Sequence, residues 1–188
     1  MIYVAFGTEV TLSDEDVTEI TMGIKMSGFP FFWALKQQNT STVELQDLLV
    51  NNSGKGLVWR TWAPQMRILA HKSVGGFLTH CGWSSVIESL QIGCPLVMLP
   101  FQNEQSIVAG LMEEKRVGVK VQRSEHHGKF TRESLANALR SVMLEEKGKT
   151  YRSEAEKMSK IFGDKELQQK YVDQFLDYME IHRPVMKD

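Results

Sequence analysis

Short apolar runs alternate with helix-forming stretches, and this alternation constrains the fold more than any other feature of the 188-residue chain. The runs that predict strands are 2–6, 31–35, 57–59, 73–79, 95–99 and 118–121. The stretches that predict helices between them are 13–26, 82–91 and 103–115. Strands that alternate with helices form parallel sheets through right-handed crossovers. We therefore expect one α/β domain whose parallel sheet is flanked by helices.

Local signals support the predicted helices. Ser13 followed by Asp16 three residues later is typical of a capping box at the start of a helix. Three further helices are predicted over 131–145, 150–162 and 165–181. Apolar residues recur at helical spacing in the first of these and predict a packing stripe of Leu135, Ala138, Leu139 and Val142. The polar stretch 36–55 predicts a loop.

Composition excludes several functional classes. The formal net charge of -1 argues against a dedicated nucleic-acid binder or a polybasic membrane clamp. The longest apolar runs, such as 95–101, are too short to form a transmembrane segment, and no basic segment or cleavage site precedes the first strand. Cys81 and Cys94 allow at most one disulfide, and we expect reduced thiols in a cytoplasmic protein.

The run 80–85 lies between a predicted strand and a predicted helix. A helix that starts at Gly82 would present unpaired N–H groups and the positive end of its dipole, which together favour an anion. Ser84 and Ser85 add hydroxyl donors, and His80 adds a ring N–H. The segment therefore predicts a phosphate-binding site.

Residues around this segment suit the other parts of a nucleotide sugar. Glu88 lies three residues after Ser85 on the same helix face. A phosphate would repel its carboxylate, whereas the hydroxyls of a ribose diol would donate hydrogen bonds to it. Trp62 offers an aromatic face for a base. Glu104 and Gln105 combine the acceptors and donors that sugar hydroxyls need.

Each residue also has a purely structural interpretation. These are core aromatics for Trp62 and Trp83, a satisfied strand-end histidine for His80, helix caps for Ser84 and Ser85, a solvated residue for Glu88, and first-turn residues for Glu104 and Gln105. Their joint spacing favours the binding interpretation. Adjacent His126 and His127 suggest a metal site, but no cysteine or aspartate cluster completes one, so we expect solvated loop residues.

The 44-residue segment from Trp62 to Gln105 resembles the signature box of plant secondary-product UDP-glycosyltransferases. It shares the tryptophan start, the His-Cys-Gly-Trp centre and the Glu-Gln end of that box. The opening run 4–8 resembles the first strand and phosphate loop of the family's C-terminal domain. The resemblance covers essentially the whole chain, and it implies a Rossmann-like parallel sheet, the C-terminal half of a GT-B glycosyltransferase.

The resemblance also implies a role for each residue. Trp62 would stack on uracil, Ala63 would pair with the base through its backbone, and Gln65 and Glu88 would bind the ribose. The diphosphate would be lined by Thr8, His80, Ser84, Ser85 and the helix that starts at Gly82, and the sugar by Trp83, Glu104 and Gln105. Ser84 stands where most members carry asparagine, and its shorter side chain still offers a hydroxyl.

In this family the acceptor site and a histidine base lie in an N-terminal domain, and an inverting transfer proceeds without metal or other cofactor. We therefore expect residues 1–188 to be a UDP-sugar-binding domain with no catalytic base of its own, inactive alone. The helix 165–181 would pack back on the N-terminal domain, which would supply the small-molecule acceptor. The alternative is a freestanding, non-catalytic UDP-sugar-binding module.

A finer resemblance concerns the subgroup. The Ser84-Ser85 pair and the stretches 112–115 and 171–175 are similar to enzymes that add glucose or rhamnose to a sugar on a terpenoid or flavonoid. This similarity identifies neither the sugar nor the acceptor.

Overall fold

Six parallel strands form one sheet in the computed structural model, which describes residues 1–36, 45, 56–125 and 128–183. They are β1 (Ile2–Ala5), β2 (Phe31–Ala34), β3 (Gly56–Trp59), β4 (Gly76–Thr79), β5 (Leu96–Met98) and β6 (Gly118–Lys120). Their spatial order is β3-β2-β1-β4-β5-β6. The order reverses between β1 and β4, and ligands of open α/β sheets bind beside the carboxyl ends of strands at such a switch point. The predicted α/β class is confirmed.

The helices follow the strands in alternation and then continue alone. They are α1 (Asp14–Ser27), α2 (Gln65–Leu69), α3 (Trp83–Ile92), α4 (Asn103–Glu114), α5 (Arg132–Met143), α6 (Glu146–Phe162) and α7 (Lys165–Ile181). The predicted capping box is confirmed, since Asp16 N donates to Ser13 Oγ and Ser13 N donates to Asp16 Oδ2, both at 3.1 Å. Helix α1 ends where Gly28 takes a left-handed conformation at φ 79°.

Two apolar layers cover the sheet, one on each face. Side chains alternate along β1, so that Ile2 and Val4 join one layer while Tyr3 and Ala5 join the other. Helices α1 and α5 cover the first face, and α3, α4 and α6 cover the second. The predicted stripe on α5 is fully confirmed by the buried positions of Leu135, Ala138, Leu139 and Val142.

The main departures from the sequence-based expectation are the starts of one strand and one helix and the presence of one additional short helix. Strand β4 begins at Gly76 rather than at residue 73, because Val74 N donates to His71 O at 2.8 Å and closes a turn. Helix α6 begins at Glu146 rather than at residue 150. The short helix α2 was not expected. Of the predicted loop 36–55, all but residues 36 and 45 lies outside the described residues, as do His126 and His127.

Helix α7 buries none of its residues. It contacts α6, and its apolar side chains include the exposed Tyr171, Phe175, Leu176 and Tyr178. Packing of this helix on another domain stays a prediction. Within the described ranges no helix has the length and apolar character needed to cross a bilayer. Cys81 and Cys94 are both buried and free, which confirms the expected thiols.

Candidate functional site

A cleft of about 840 Å³ opens at the carboxyl edge of the sheet. It is lined by residues in and after β1 and β2, by residues after β3, and by side chains from the first turn of α2 and the first two turns of α3. Six of the twelve expected binding residues lie in its wall: Thr8, Trp62, Ala63, Gln65, Ser85 and Glu88. The sheet thus brings together residues far apart in the chain at the place where its strand order reverses.

Both tryptophans expected at the site are solvent-exposed. Trp62 is 82% exposed, and its backbone carbonyl accepts a hydrogen bond of 3.1 Å from Trp59 Nε1. Trp83 is 49% exposed at the first position of α3. The interpretation of both residues as core aromatics is therefore wrong. The ring of Trp62 is available at the cleft as a stacking surface.

Gln65 and Glu88 form a hydrogen-bonded pair across the cleft wall. Gln65 Nε2 donates to Glu88 Oε2 at 2.9 Å and to Ser85 Oγ at 3.3 Å. Both Gln65 and Glu88 are half-buried, so the interpretation of Glu88 as a solvated residue is wrong. An amide and a carboxylate held side by side offer the donors and acceptors that a diol requires.

Tyr3 belongs to the same network, although the sequence did not single it out. Its hydroxyl donates to Gln65 Oε1 at 3.2 Å. Burial, reinforced by the charge of Glu88, raises the pKa of Tyr3 to about 12, so the phenol stays protonated and acts as a donor. The available signal was a phenol among the apolar residues of β1.

His80 directly follows β4, and its ring is buried between two glycines. A Cβ added at Gly7 would lie 2.8 Å from Cε1 and Nε2 of the ring, and one added at Gly82 would lie 2.3 Å from Nε2. His80 Nδ1 is buried without a hydrogen-bond partner in the described structure. The interpretation of His80 as a satisfied strand-end histidine is therefore wrong, and its ring keeps unused hydrogen-bonding capacity.

The first turn of α3 carries backbone donors toward the same edge. Gly82 is the N-cap residue and makes no side-chain cap bond, and the first turn has no acidic residue. The first intrahelical bond joins Val86 N to Gly82 O at 3.1 Å, so the N–H groups of residues 83–85 precede the helical ladder. The cap interpretation of Ser84 and Ser85 is wrong, since Ser84 is exposed and Ser85 accepts from Gln65.

Two of the three residues expected at the sugar, Glu104 and Gln105, lie in the first turn of α4, outside the cleft lining. Glu104 is exposed, whereas Gln105 is 2% exposed. Gln105 Oε1 accepts from Phe101 N at 2.9 Å and from Gln102 N at 3.2 Å, which completes a capping box. The amide of Gln105 thus shapes the turn before α4, and contact of either residue with a sugar stays a prediction.

His80, Gly82, Trp83 and Ser84 also lie outside the cleft lining, beside it at the end of β4 and the start of α3. Their contact with phosphate or sugar stays a prediction. The described ranges hold no group of three or more His, Cys, Asp or Glu side chains placed to bind a metal ion. That no metal is required stays a prediction.

We expect His80 to make stability depend on pH. Burial lowers the pKa of His80 from its ordinary 6.5, against the opposing charges of Glu9 and Glu104. At a pH between the lowered pKa of the folded state and the ordinary pKa of the unfolded state, the unfolded chain binds more protons than the folded chain. The free energy of unfolding therefore falls as the pH drops below about 6.5. Urea unfolding of the protein and of His80→Gln from about pH 7.5 to 5.5 measures this effect. An identical pH dependence in the two proteins contradicts it.

Comparison with known proteins places this geometry in a family. The model of the family "UDP-glucoronosyl and UDP-glucosyl transferase" matches residues 1–180. UDP-glycosyltransferase 91D2 of Stevia rebaudiana is 45% identical over 185 residues, which are 96% of this chain and 39% of the relative. Soyasaponin III rhamnosyltransferase of Glycine max is 43% identical over 184 residues, 97% of this chain and 39% of the relative.

Comparison of the fold with solved structures gives the same result. The crystal structure of Os79 from O. sativa in complex with UDP superposes with a TM-score of 0.83 at 29% identity, over 93% of this chain and 39% of that one. The chain therefore spans about two fifths of the length of these relatives. The resemblance to plant UDP-glycosyltransferases and the Rossmann-like class are confirmed. The chain belongs to the family of UDP-glucuronosyl and UDP-glucosyl transferases.

Proposed function

We propose that the cleft binds the nucleotide of a UDP-sugar, and that the chain is the donor-binding domain of an inverting UDP-glycosyltransferase. One observation carries the proposal: the Gln65–Glu88 pair lies in the same cleft as the exposed ring of Trp62, at the switch point of the sheet. A ribose placed against this pair would bring its base to the aromatic face. The UDP complex of Os79, a protein of the same fold, supports this assignment.

The diphosphate and the sugar of the donor would lie further along the same edge of the sheet. Beyond the ribose, the diphosphate would meet Thr8, Ser85 and the N-terminus of α3, where backbone donors and the helix dipole favour negative charge. His80 would add one ring N–H. Fixed donors of this kind stabilise the charge that develops on a departing diphosphate. The sugar would then lie toward Trp83, Glu104 and Gln105.

For the whole enzyme we propose transfer of glucose or rhamnose to a plant glycoside or aglycone. The similarity to a soyasaponin III rhamnosyltransferase supports rhamnose as one candidate. Among the described residues that line the cleft there is no histidine, and we propose that the base comes from an acceptor domain. The isolated chain would then transfer negligible sugar. Two free thiols support a cytoplasmic location.

Calorimetric titration of the chain with UDP, in the presence of EDTA, tests the binding proposal. We expect saturable 1:1 binding of UDP and weaker binding of ADP, because Trp62 and the Ala63 backbone would select the base. Titrations with UDP-glucose and UDP-rhamnose then rank the donors. A chain that circular dichroism shows to be folded and that binds no UDP would contradict the proposal. UDP binding that occurs without EDTA and disappears when EDTA is added would contradict metal-free binding.

A further inference from the structure

We propose that Tyr3 is a positioning residue for ribose recognition: its hydroxyl holds the Gln65 amide so that the Gln65–Glu88 pair is presented to a ribose diol. Tyr3 would thereby set the preference for ribose over deoxyribose nucleotides. The inference rests on the proposed UDP-binding function. It is carried by a three-residue hydrogen-bond chain that links the sheet interior to the cleft.

The ring of Tyr3 is fixed by its surroundings. Tyr3 is 1% exposed in β1, paired on one side with β2 and on the other with β4. Its ring stacks on Phe77, with centroids 5.1 Å apart and planes at 25°, and lies 6.1 Å from the ring of Phe32. The hydroxyl therefore has one defined position at the base of the cleft.

The acceptor-only carboxylate of Glu88 requires the donor end of the Gln65 amide, and the Tyr3 hydroxyl anchors the opposite end. A glutamine amide has one acceptor end and one donor end. Tyr3 donates to Oε1 at 3.2 Å, which leaves Nε2 to donate to Glu88 Oε2 at 2.9 Å. The opposite amide orientation would bring Oε1 against the carboxylate of Glu88, two acceptors without a proton between them. A neutral phenol suits this role, and burial keeps Tyr3 neutral by raising its pKa to about 12.

A fixed carboxylate matters more for a diol than for a single hydroxyl. An ionised carboxylate has about four lone-pair sites, so Glu88 can accept from Gln65 and still accept from two adjacent hydroxyls. Those hydroxyls must meet acceptors at defined positions. Deoxyribose lacks the 2′-hydroxyl, so its binding depends less on the exact position of the Glu88 carboxylate. Loosening Gln65 should therefore weaken UDP more than dUDP.

The Tyr3→Phe variant tests this difference, because it removes the hydroxyl and keeps the ring. We expect the ratio of dUDP to UDP dissociation constants, measured by calorimetry, to fall about threefold to tenfold, the effect of one neutral hydrogen bond. The dUDP constant should stay within about twofold. Tyr151→Phe is the matched control, because Tyr151 is half-buried in α6 and does not line the cleft. We expect it to leave the ratio unchanged.

A double-mutant cycle separates positioning from a general packing effect. In the Gln65→Ala background, Tyr3→Phe should no longer change the ratio. A wild-type chain that binds UDP and dUDP equally overturns the inference. So does an unchanged ratio in Tyr3→Phe, or an equal change in both backgrounds.

Failure of the proposed function is recognised separately. A wild-type chain that binds no UDP contradicts that function, and the side-chain amide resonances of Gln65 then test the positioning in the free protein. In ¹⁵N spectra we expect Tyr3→Phe to shift these resonances and Tyr151→Phe to leave them in place. Unshifted Gln65 resonances in Tyr3→Phe overturn the inference whether or not nucleotide binds.

Discussion

Replacing Glu88 by alanine should weaken UDP binding about tenfold to a hundredfold, which corresponds to the loss of about 1.5–3 kcal/mol from hydrogen bonds to a charged group. The substitution removes the proposed acceptor of the ribose diol. It also removes the partner that Gln65 Nε2 holds at 2.9 Å, so the amide loses its fixed orientation. Calorimetric titration with UDP measures the change.

Two controls identify the source of that loss. Glu88→Gln keeps the shape and removes the charge, so we expect a smaller decrease in affinity. Glu114→Ala makes the same change in net charge at the exposed C-terminal end of α4, away from the carboxyl edge of the sheet. We expect it to leave UDP affinity unchanged. Equal weakening by Glu88→Ala and Glu114→Ala would mean that the effect comes from the overall field of the protein, not from the ribose contact.

Gly82→Ala should reduce both stability and UDP affinity. The backbone at Gly82 suits alanine, with φ -59° and ψ 136°, so the effect is steric. The added Cβ would lie 2.3 Å from His80 Nε2, and Gly7 blocks the ring on its other side. We expect a loss of about 1–3 kcal/mol in the free energy of unfolding. Displacement of His80 and of the α3 N-terminus should weaken UDP about tenfold or more.

Gly110→Ala is the matched control for this substitution. Gly110 lies inside α4, and nothing lies within 4 Å of a Cβ added there. We expect it to raise the free energy of unfolding by about 0.4–1 kcal/mol, because alanine restricts the unfolded chain. Urea unfolding and UDP titration of both variants test the pair. Unchanged affinity and stability in Gly82→Ala would show that the ring of His80 moves freely.

The sequence predicted elements that depend on local patterns. The capping box at Ser13 and the stripe on α5 are short-range signals, and both are confirmed. Helix α2 was missed because five residues carry too little periodicity and its N-cap, Pro64, makes no side-chain cap bond. The start of α6 was misplaced because Gly148 resembles a loop residue. Inside the helix this glycine allows close packing, since an added Cβ would lie 2.3 Å from Val142 O.

The candidate site shows the same division between local and tertiary information. Spacing indicated Ser85 and Glu88, and the family resemblance indicated Gln65; all three line one cleft. The bond between Tyr3 and Gln65 joins residues 62 positions apart, and no local pattern predicts it. Gln105 is the exception, because its Oε1 accepts from Phe101 N and Gln102 N in a capping box, which is a local pattern that spacing could have indicated. Sequence spacing therefore identified candidates, while their hydrogen-bond partners depended on the fold.

The placement of the tryptophans gives the protein two separate optical reporters. Trp33 is 1% exposed in the apolar layer beside the cleft, so its largest emission shift should come when the core opens. Trp62, at 82% exposed, should instead be quenched when a base stacks on its ring. Trp59 and Trp83 are exposed as well, at 43% and 49%. Intrinsic fluorescence can therefore distinguish occupancy of the cleft from loss of structure in one unlabelled sample.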